Sequence, residues 1–116
     1  MFGCVLNALK RESRMRVRSG KEAMARGELD AASCYFQDAH ILGQRFVVEH
    51  ALSHYWLLRL SLKEKQWADA LGQVPRLLTS LIMSPFWVPT GNAGLSSVSA
   101  FKSMPIPRHL RDYFEQ

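Results

Sequence analysis

The chain has 116 residues, of which 47% are hydrophobic and 22% are charged, and its formal net charge is +5. This length and composition suit one folded domain over residues 1–116 and exclude a globally disordered chain. Its two cysteines are too few for a disulfide scaffold, which favours a reducing, cytoplasmic location. No apolar run approaches the roughly 20 residues that a membrane-spanning helix needs, so we expect no membrane span.

The excess positive charge is concentrated in residues 1–26, which we predict to contain a basic first helix from about Val5 to Arg26. This segment carries two acidic residues and seven basic ones: Lys10, Arg11, Arg14, Arg16, Arg18, Lys21 and Arg26. A basic helix on a neutral body fits an anionic partner such as nucleic acid, lipid headgroups or an acidic protein. A solvated helix face is the favoured alternative, because no aromatic residues interleave with the charges as stacking on nucleic acid requires.

Apolar residues that recur every three or four positions predict a helical core over residues 29–81. We expect one helix over Leu29–Leu42 and a longer, more apolar one over Arg45–Lys65. A further helix begins near Gln66 and should bend or break at Pro75, which removes a backbone hydrogen bond. The apolar positions of this last helix suit a core face: Trp67, Leu71, Val74, Leu78 and Leu81.

The spacing of small and large residues in this core is typical of tetratricopeptide helix pairs. In those repeats a glycine at the turn is followed by a large residue, a small one, an aromatic and another small one. The order occurs here as Gly27, Leu29, Ala32, Phe36 and Ala39. It recurs 38 residues later, less well, as Lys65, Trp67, Ala70, Val74 and Leu77. We therefore predict an all-α fold with two tetratricopeptide-like helical hairpins, made of four main helices.

The residues after the core change in character. Prolines, glycines and serines exclude a helix through about 20 residues from Ser84 onward. Large apolar residues are nevertheless threaded through the stretch: Phe86, Trp87, Val88, Leu95, Val98, Phe101 and Ile106. We predict a long, ordered apolar loop over residues 84–106 that lies across the helices. A short terminal helix over residues 107–115 should follow, with Pro107 in its first turn.

Three histidines are predicted to converge between the second and third helices. His50 and His54 lie one turn apart on an apolar stripe, and His40 precedes the break at Gly43–Arg45 by about the distance at which His50 follows it. Residues equidistant from the turn of an antiparallel hairpin sit at the same height. Three such imidazoles can hold a divalent metal such as zinc and leave one coordination position open. The alternative is a set of core histidines bonded to backbone carbonyls or to each other, which the lack of a glutamate after His50 favours.

The glycine-rich stretch Gly91–Gly94 could form an anion-binding nest, but it lacks the lysine and following helix of a phosphate-binding loop, so a tight turn is favoured. Asn92 could reach into a pocket beneath this loop, and we include it with the three histidines as a candidate ligand-binding residue. His109 is expected to have a surface role. No serine or cysteine has a suitable histidine partner in sequence, so we assign no catalytic residue.

Several motifs together resemble a bacterial family of small proteins catalogued as domain of unknown function 3703. The motifs are Ala39-His40-Ile41-Leu42-Gly43-Gln44-Arg45, His50, His54, Leu71-Gly72-Gln73, Val88-Pro89-Thr90-Gly91-Asn92-Ala93-Gly94 and Met104-Pro105-Ile106-Pro107. The resemblance covers about Met15 to Leu110. This chain has Leu95 where relatives have a second glycine and Ser97 where they have a second asparagine. The resemblance implies kinship and names no activity.

Three functions are compatible with these patterns. The leading hypothesis is a non-enzymatic protein-interaction or adaptor module with a protein partner. The alternative is a metal- or small-ligand-binding protein that uses His40, His50 and His54. A further alternative is an anionic-surface binder that uses the basic residues from Lys10 to Arg26.

Overall fold

The computed structural model describes residues 2–83, residue 94 and residues 104–114, and this part of the chain is all-α. The four α-helices are α1 (Phe2–Ala25), α2 (Leu29–Gly43), α3 (Val47–Lys63) and α4 (Trp67–Met83). A 3-10 helix over Arg108–Tyr113 takes the place of the predicted short terminal helix. In the described segments, no helix combines the length and the apolarity that crossing a bilayer requires.

The helices pack as two hairpins. α1 packs along α2 and α3 packs along α4, while α2 and α3 also contact each other. Each of the three connections is three residues long, so consecutive helices run antiparallel. The predicted all-α fold with four main, pairwise-packed helices is confirmed, and the tetratricopeptide-like character of the hairpins stays a prediction.

Both hairpins turn through a residue in the left-handed backbone region. Gly27 has φ +78° and Lys65 has φ +58°. The next backbone N–H in each turn donates five residues back: Glu28 donates to the carbonyl of Ala23 at 2.9 Å, and Gln66 does the same in the second turn at 2.9 Å. These are the bonds of a Schellman helix terminus, which glycine usually occupies. The lysine that replaces glycine in the weaker sequence unit therefore adopts the backbone conformation of a glycine.

Small residues let α1 and α2 approach closely. The ring of Phe36 lies against the backbone of Gly20, where a Cβ atom would collide with it. Phe36 and Ala32 are fully buried. The buried hydroxyl of Ser13 donates to the carbonyl oxygen of Ala39 at 2.9 Å. Together these contacts fix the height of α2 against α1.

The end of the chain returns to the first hairpin. Leu110 of the 3-10 helix is fully buried with Leu9, Ile41 and Leu42, and Ile106 packs against this cluster. The predicted ordered loop over residues 84–106 lies largely outside the described residues. Within that range the structure describes only residue 94 and residues 104–106.

Of the predicted bend or break at Pro75, the break does not occur, because α4 continues through this residue. Proline lacks the N–H that would donate to the carbonyl of Leu71, at a cost of about 3 kcal/mol in a helix interior. The helix persists because it packs along α3 and buries Ala70, Gln73 and Ser80. Tertiary packing here outweighs the local preference.

The apolar stripe of α4 does not lie in the core of the described structure. The exposed fractions are 64% for Trp67, 74% for Leu71, 43% for Val74, 60% for Leu78 and 50% for Leu81. Among the described elements α4 packs only against α3, so the described structure covers only one of its sides. The predicted core face is wrong for this reason: periodicity identifies an apolar face but not what covers it. We call these five residues the outer face of α4.

Replacing Lys65 by glycine should stabilise the protein. The left-handed conformation costs a non-glycine residue about 1–2 kcal/mol, which the greater unfolded-state freedom of glycine offsets in part. We expect the free energy of unfolding, measured with urea, to rise by about 0.5–1 kcal/mol. Lys63→Gly, within the last turn of α3, is the matched control and should lower it. Equal losses in both variants would contradict the role of the turn.

Candidate metal centre

Two helices bring the three predicted histidines together. His40 lies in the last turn of α2, and His50 and His54 lie one turn apart on α3. The connection between these helices is only three residues long, so the C-terminal end of α2 and the N-terminal half of α3 are at the same height. All three histidines are buried, with exposed fractions of 3%, 7% and 3%. The predicted convergence is therefore present in the structure.

The three Nε2 atoms form a nearly equilateral triangle. The distances are 3.1 Å from His40 to His50, 3.1 Å from His40 to His54 and 3.2 Å from His50 to His54. In the described part of the chain, these three side chains form the cluster that could hold a metal ion. Imidazole nitrogens around a tetrahedral zinc ion lie about 3.3 Å apart, given zinc–nitrogen bonds of about 2.0–2.1 Å. The triangle thus has nearly the spacing of three ligands on one ion.

A chain of hydrogen bonds fixes the protonation of His54. The carbonyl oxygen of Gly94 can only accept, so the amide nitrogen of Gln73 faces it at 2.8 Å. The amide oxygen of Gln73 then faces Nδ1 of His54 at 2.8 Å, and Nδ1 must donate. Neutral imidazole carries one proton, so Nε2 of His54 presents a lone pair to the centre of the triangle.

The three contacts between Nε2 atoms cannot all be hydrogen bonds. Each contact needs one proton between its two atoms, and Nε2 of His54 has none to give. If His40 and His50 both carry a proton on Nε2, the two protons oppose each other at 3.1 Å. If only one of His40 and His50 carries a proton on Nε2, the lone pair on Nε2 of the other points at the lone pair of His54, and this contact is repulsive. A shared cation resolves the conflict, because it accepts all three lone pairs.

Burial keeps two of the imidazoles neutral. It lowers the pKa of His50 to about 3, with a smaller contribution from the nearby His54. The pKa of His54 is lowered to about 4, chiefly by burial and also by the positive charge of Arg76, while the bond to Gln73 acts in the opposite direction. A neutral imidazole is the form that binds metals, so these nitrogens need not lose a proton at neutral pH to act as ligands.

Gly94 completes one side of the site. Its backbone packs against the ring of His40, and a Cβ atom there would lie 2.6 Å from Cδ2 of that ring. Its φ of +83° also favours glycine. The backbone of this residue therefore contacts His40 directly and reaches His54 through Gln73.

Gln73 is a residue of the site that we did not predict from the sequence. Gln73 is 2% exposed and is a direct hydrogen-bond partner of a candidate ligand. Two sequence features indicate its importance. Leu71-Gly72-Gln73 is one of the motifs that resemble the family, and Gln73 is a polar residue on the side of α4 that faces α3. Asn92 lies outside the described residues.

The two carboxylates closest to the histidines in sequence are engaged elsewhere. Glu49 accepts hydrogen bonds from Arg14 at 3.0 and 3.2 Å. Asp38 faces Nε2 of the exposed His109 at 2.9 Å and lies 3.8 Å from Arg16. Two cations of the basic helix are thus paired within the fold, and His109 lies on the surface as predicted. The anionic-surface function stays a prediction.

Comparison with known proteins identifies the kinship of the chain. A family model described as "protein of unknown function (DUF3703)" matches residues 7–114, which is nearly the whole chain. No curated protein and no solved structure matches it. The family that the sequence motifs resemble is thereby confirmed.

Acid should destabilise the metal-free protein. Above pH 6.5 the imidazoles of His50 and His54 are neutral in both the folded and the unfolded state. Below pH 6.5 both imidazoles become protonated in the unfolded chain, whereas in the folded protein they stay neutral down to about pH 4 for His54 and about pH 3 for His50. The free energy of unfolding therefore falls as the pH falls. At about pH 5 the loss is about 2 kcal/mol for each imidazole. Urea unfolding in chelator at pH 7.5 and 5 measures it, and His50→Ala/His54→Ala should lack this part of the loss, whereas His109→Ala should retain it.

Proposed function

The chain belongs to the DUF3703 family, whose description names no activity, and we infer its function from the geometry of the site. We propose that it binds one divalent transition-metal ion through Nε2 of His40, His50 and His54. The observation that carries the proposal is the convergence of these three atoms within 3.2 Å while His54 presents a lone pair. A purely structural cluster leaves at least one contact repulsive, and a metal leaves none.

The surroundings of His54 support the same function. Histidines that bind metals usually donate their other ring N–H to an oxygen, which fixes the ring and raises its basicity. Gln73 provides that oxygen at 2.8 Å, and the carbonyl of Gly94 in turn orients Gln73. The imidazole is thus held before the metal arrives.

Zinc fits the ligand set and the spacing of its three nitrogens. Neutral imidazoles suit zinc, copper, nickel and iron, and the absence of a thiolate among these three ligands argues against a site for copper(I) or an iron–sulfur cluster. Three histidines leave a fourth tetrahedral position for a non-protein ligand, as in zinc sites that exchange a ligand. We therefore propose a zinc site whose fourth position is exchangeable.

Metal analysis of the purified chain tests this function. Protein that has been stripped and then loaded with zinc should retain one equivalent after desalting. His50→Ala/His54→Ala should reduce the affinity by more than the 10–100-fold that loss of an outer hydrogen-bond partner causes. His109→Ala, which removes an exposed histidine, is the control and should bind like the original protein. Zinc binding that survives the double substitution would reject the site.

Gln73→Leu should weaken zinc binding about 10–100-fold while the protein remains folded. The substitution removes the oxygen that fixes the tautomer of His54 and leaves all three ligands in place. A competition titration against a zinc-binding dye measures the affinity, and circular dichroism checks the helix content. Gln37→Leu, at a glutamine that bonds only to Ser33 within the described structure, is the matched control. Equal affinity in the two variants would show that Gln73 does not orient the ligand.

The outer face of α4 supports a second function, association with another protein. Its residues follow one another at intervals of four, three, four and three, the spacing of a coiled-coil seam. The charged residues of α4 are Asp69 and Arg76, and neither is among the five apolar residues of the outer face. A second copy of the chain would meet no like charge there, and we propose it as the partner.

Sedimentation of the full chain tests the association. We expect a dimer that Leu71→Glu/Leu78→Glu converts to a monomer, because the burial of four carboxylates in the seam is unfavourable. Met15→Glu, at a residue of α1 that is 51% exposed, is the control and should remain a dimer. A monomer at the highest attainable concentration of the unsubstituted chain would exclude the second copy.

A further inference from the structure

A metal in the three-histidine site would have an uncompensated charge. This inference rests on the proposed metal binding. Three neutral imidazoles contribute no negative charge, so the ion and its ligands together carry the full +2. The histidines are 3–7% exposed, and a net charge in so buried a position is costly unless an opposite charge lies beside it.

The described residues offer no negative charge at the cluster. The group of side chains that could hold a metal contains histidines alone. Glu49, next to His50 in sequence, is paired with Arg14 at 3.0 Å. The positive charge of Arg76 also acts on His54.

The sequence on either side of Gly94 contains no acidic group that could supply the charge. Residues 84–103, which include Gly94, contain no aspartate, glutamate, histidine or cysteine in their sequence. A serine, threonine or asparagine from this stretch would be a neutral ligand and would leave the charge unchanged. Neither the described residues nor residues 84–103 supply the missing negative charge, which favours an anion from outside the chain.

We propose that the metal held by His40, His50 and His54 takes a small exogenous monoanion as its fourth ligand. Three nitrogens on one side of a tetrahedral ion leave one position free, and an anion there halves the net charge of the site. The burial of the histidines restricts the ligand to a small anion with one donor atom on the metal. Halides, azide and the carboxylate of a short-chain acid have this chemistry.

Cobalt substitution tests the proposal with a readout at the metal itself. Cobalt(II) occupies zinc sites, and its visible absorption changes when a ligand in its coordination shell is exchanged. We expect azide and formate to shift the spectrum of the cobalt-loaded chain, each saturating at one anion per metal. Perchlorate, which coordinates poorly, should leave the spectrum unchanged at the same ionic strength. Either of two outcomes would support the proposal. A spectral shift with both formate and azide would extend the ligand class to carboxylates, and a shift with azide alone would restrict it to halide-like anions.

A control variant separates coordination from anion binding at the basic helix. Arg11→Gln/Arg18→Gln removes two exposed cations of α1 and should retain the response to azide. Loss of the response in this variant, or an equal response to perchlorate, would overturn the proposal. Cobalt that binds through the three histidines but ignores azide would overturn it while leaving metal binding intact. Failure of cobalt to bind at all would overturn both.

Discussion

Three imidazole nitrogens lie within 3.2 Å of one another in a part of the protein that water barely reaches. Imidazoles so placed repel unless protons or a cation lie between them. The proton on His54 is committed to Gln73, so protons alone cannot meet the demand of all three contacts. Packing in the rest of the structure holds the three imidazole rings in this position despite their repulsion.

Packing contacts outside the site fix the positions of the three imidazole rings. Gly20 and Ala32 let α1 lie close against α2, which fixes the ring of Phe36 and the height of the helix end that carries His40. α3 is packed between α2 and α4, so His50 and His54 are fixed from both sides. Gln73 joins α4 to the site, so both helices of the second hairpin contribute to it. A buried polar cluster of this kind is stable only where its members are satisfied, which makes the identity of its ligand a matter of folding as well as function.

Features set by short-range geometry were predictable from the sequence. The spacing of His40, His50 and His54 around a short turn was sufficient to predict their convergence, because antiparallel helices align residues that are equidistant from the turn. The helix ends were also close, since Gly27 marks a Schellman terminus. Long-range partners were not predictable: a glutamine has no characteristic spacing from the histidine that it will bond, and Gln73 lies 19 residues from His54. The exposure of the apolar face of α4 was not predictable for the same reason, because the hydrophobic periodicity of a helix does not show which elements pack against it.

The three-residue connection between α2 and α3 has a consequence for how such a sequence can vary. One residue inserted at the start of α3 would turn the rest of that helix by about 100° relative to α2, or else shift its packed side chains by one position. Either change would send His50 and His54 away from His40 together. The connection between α2 and α3 must therefore keep its residue count even where its residue types change.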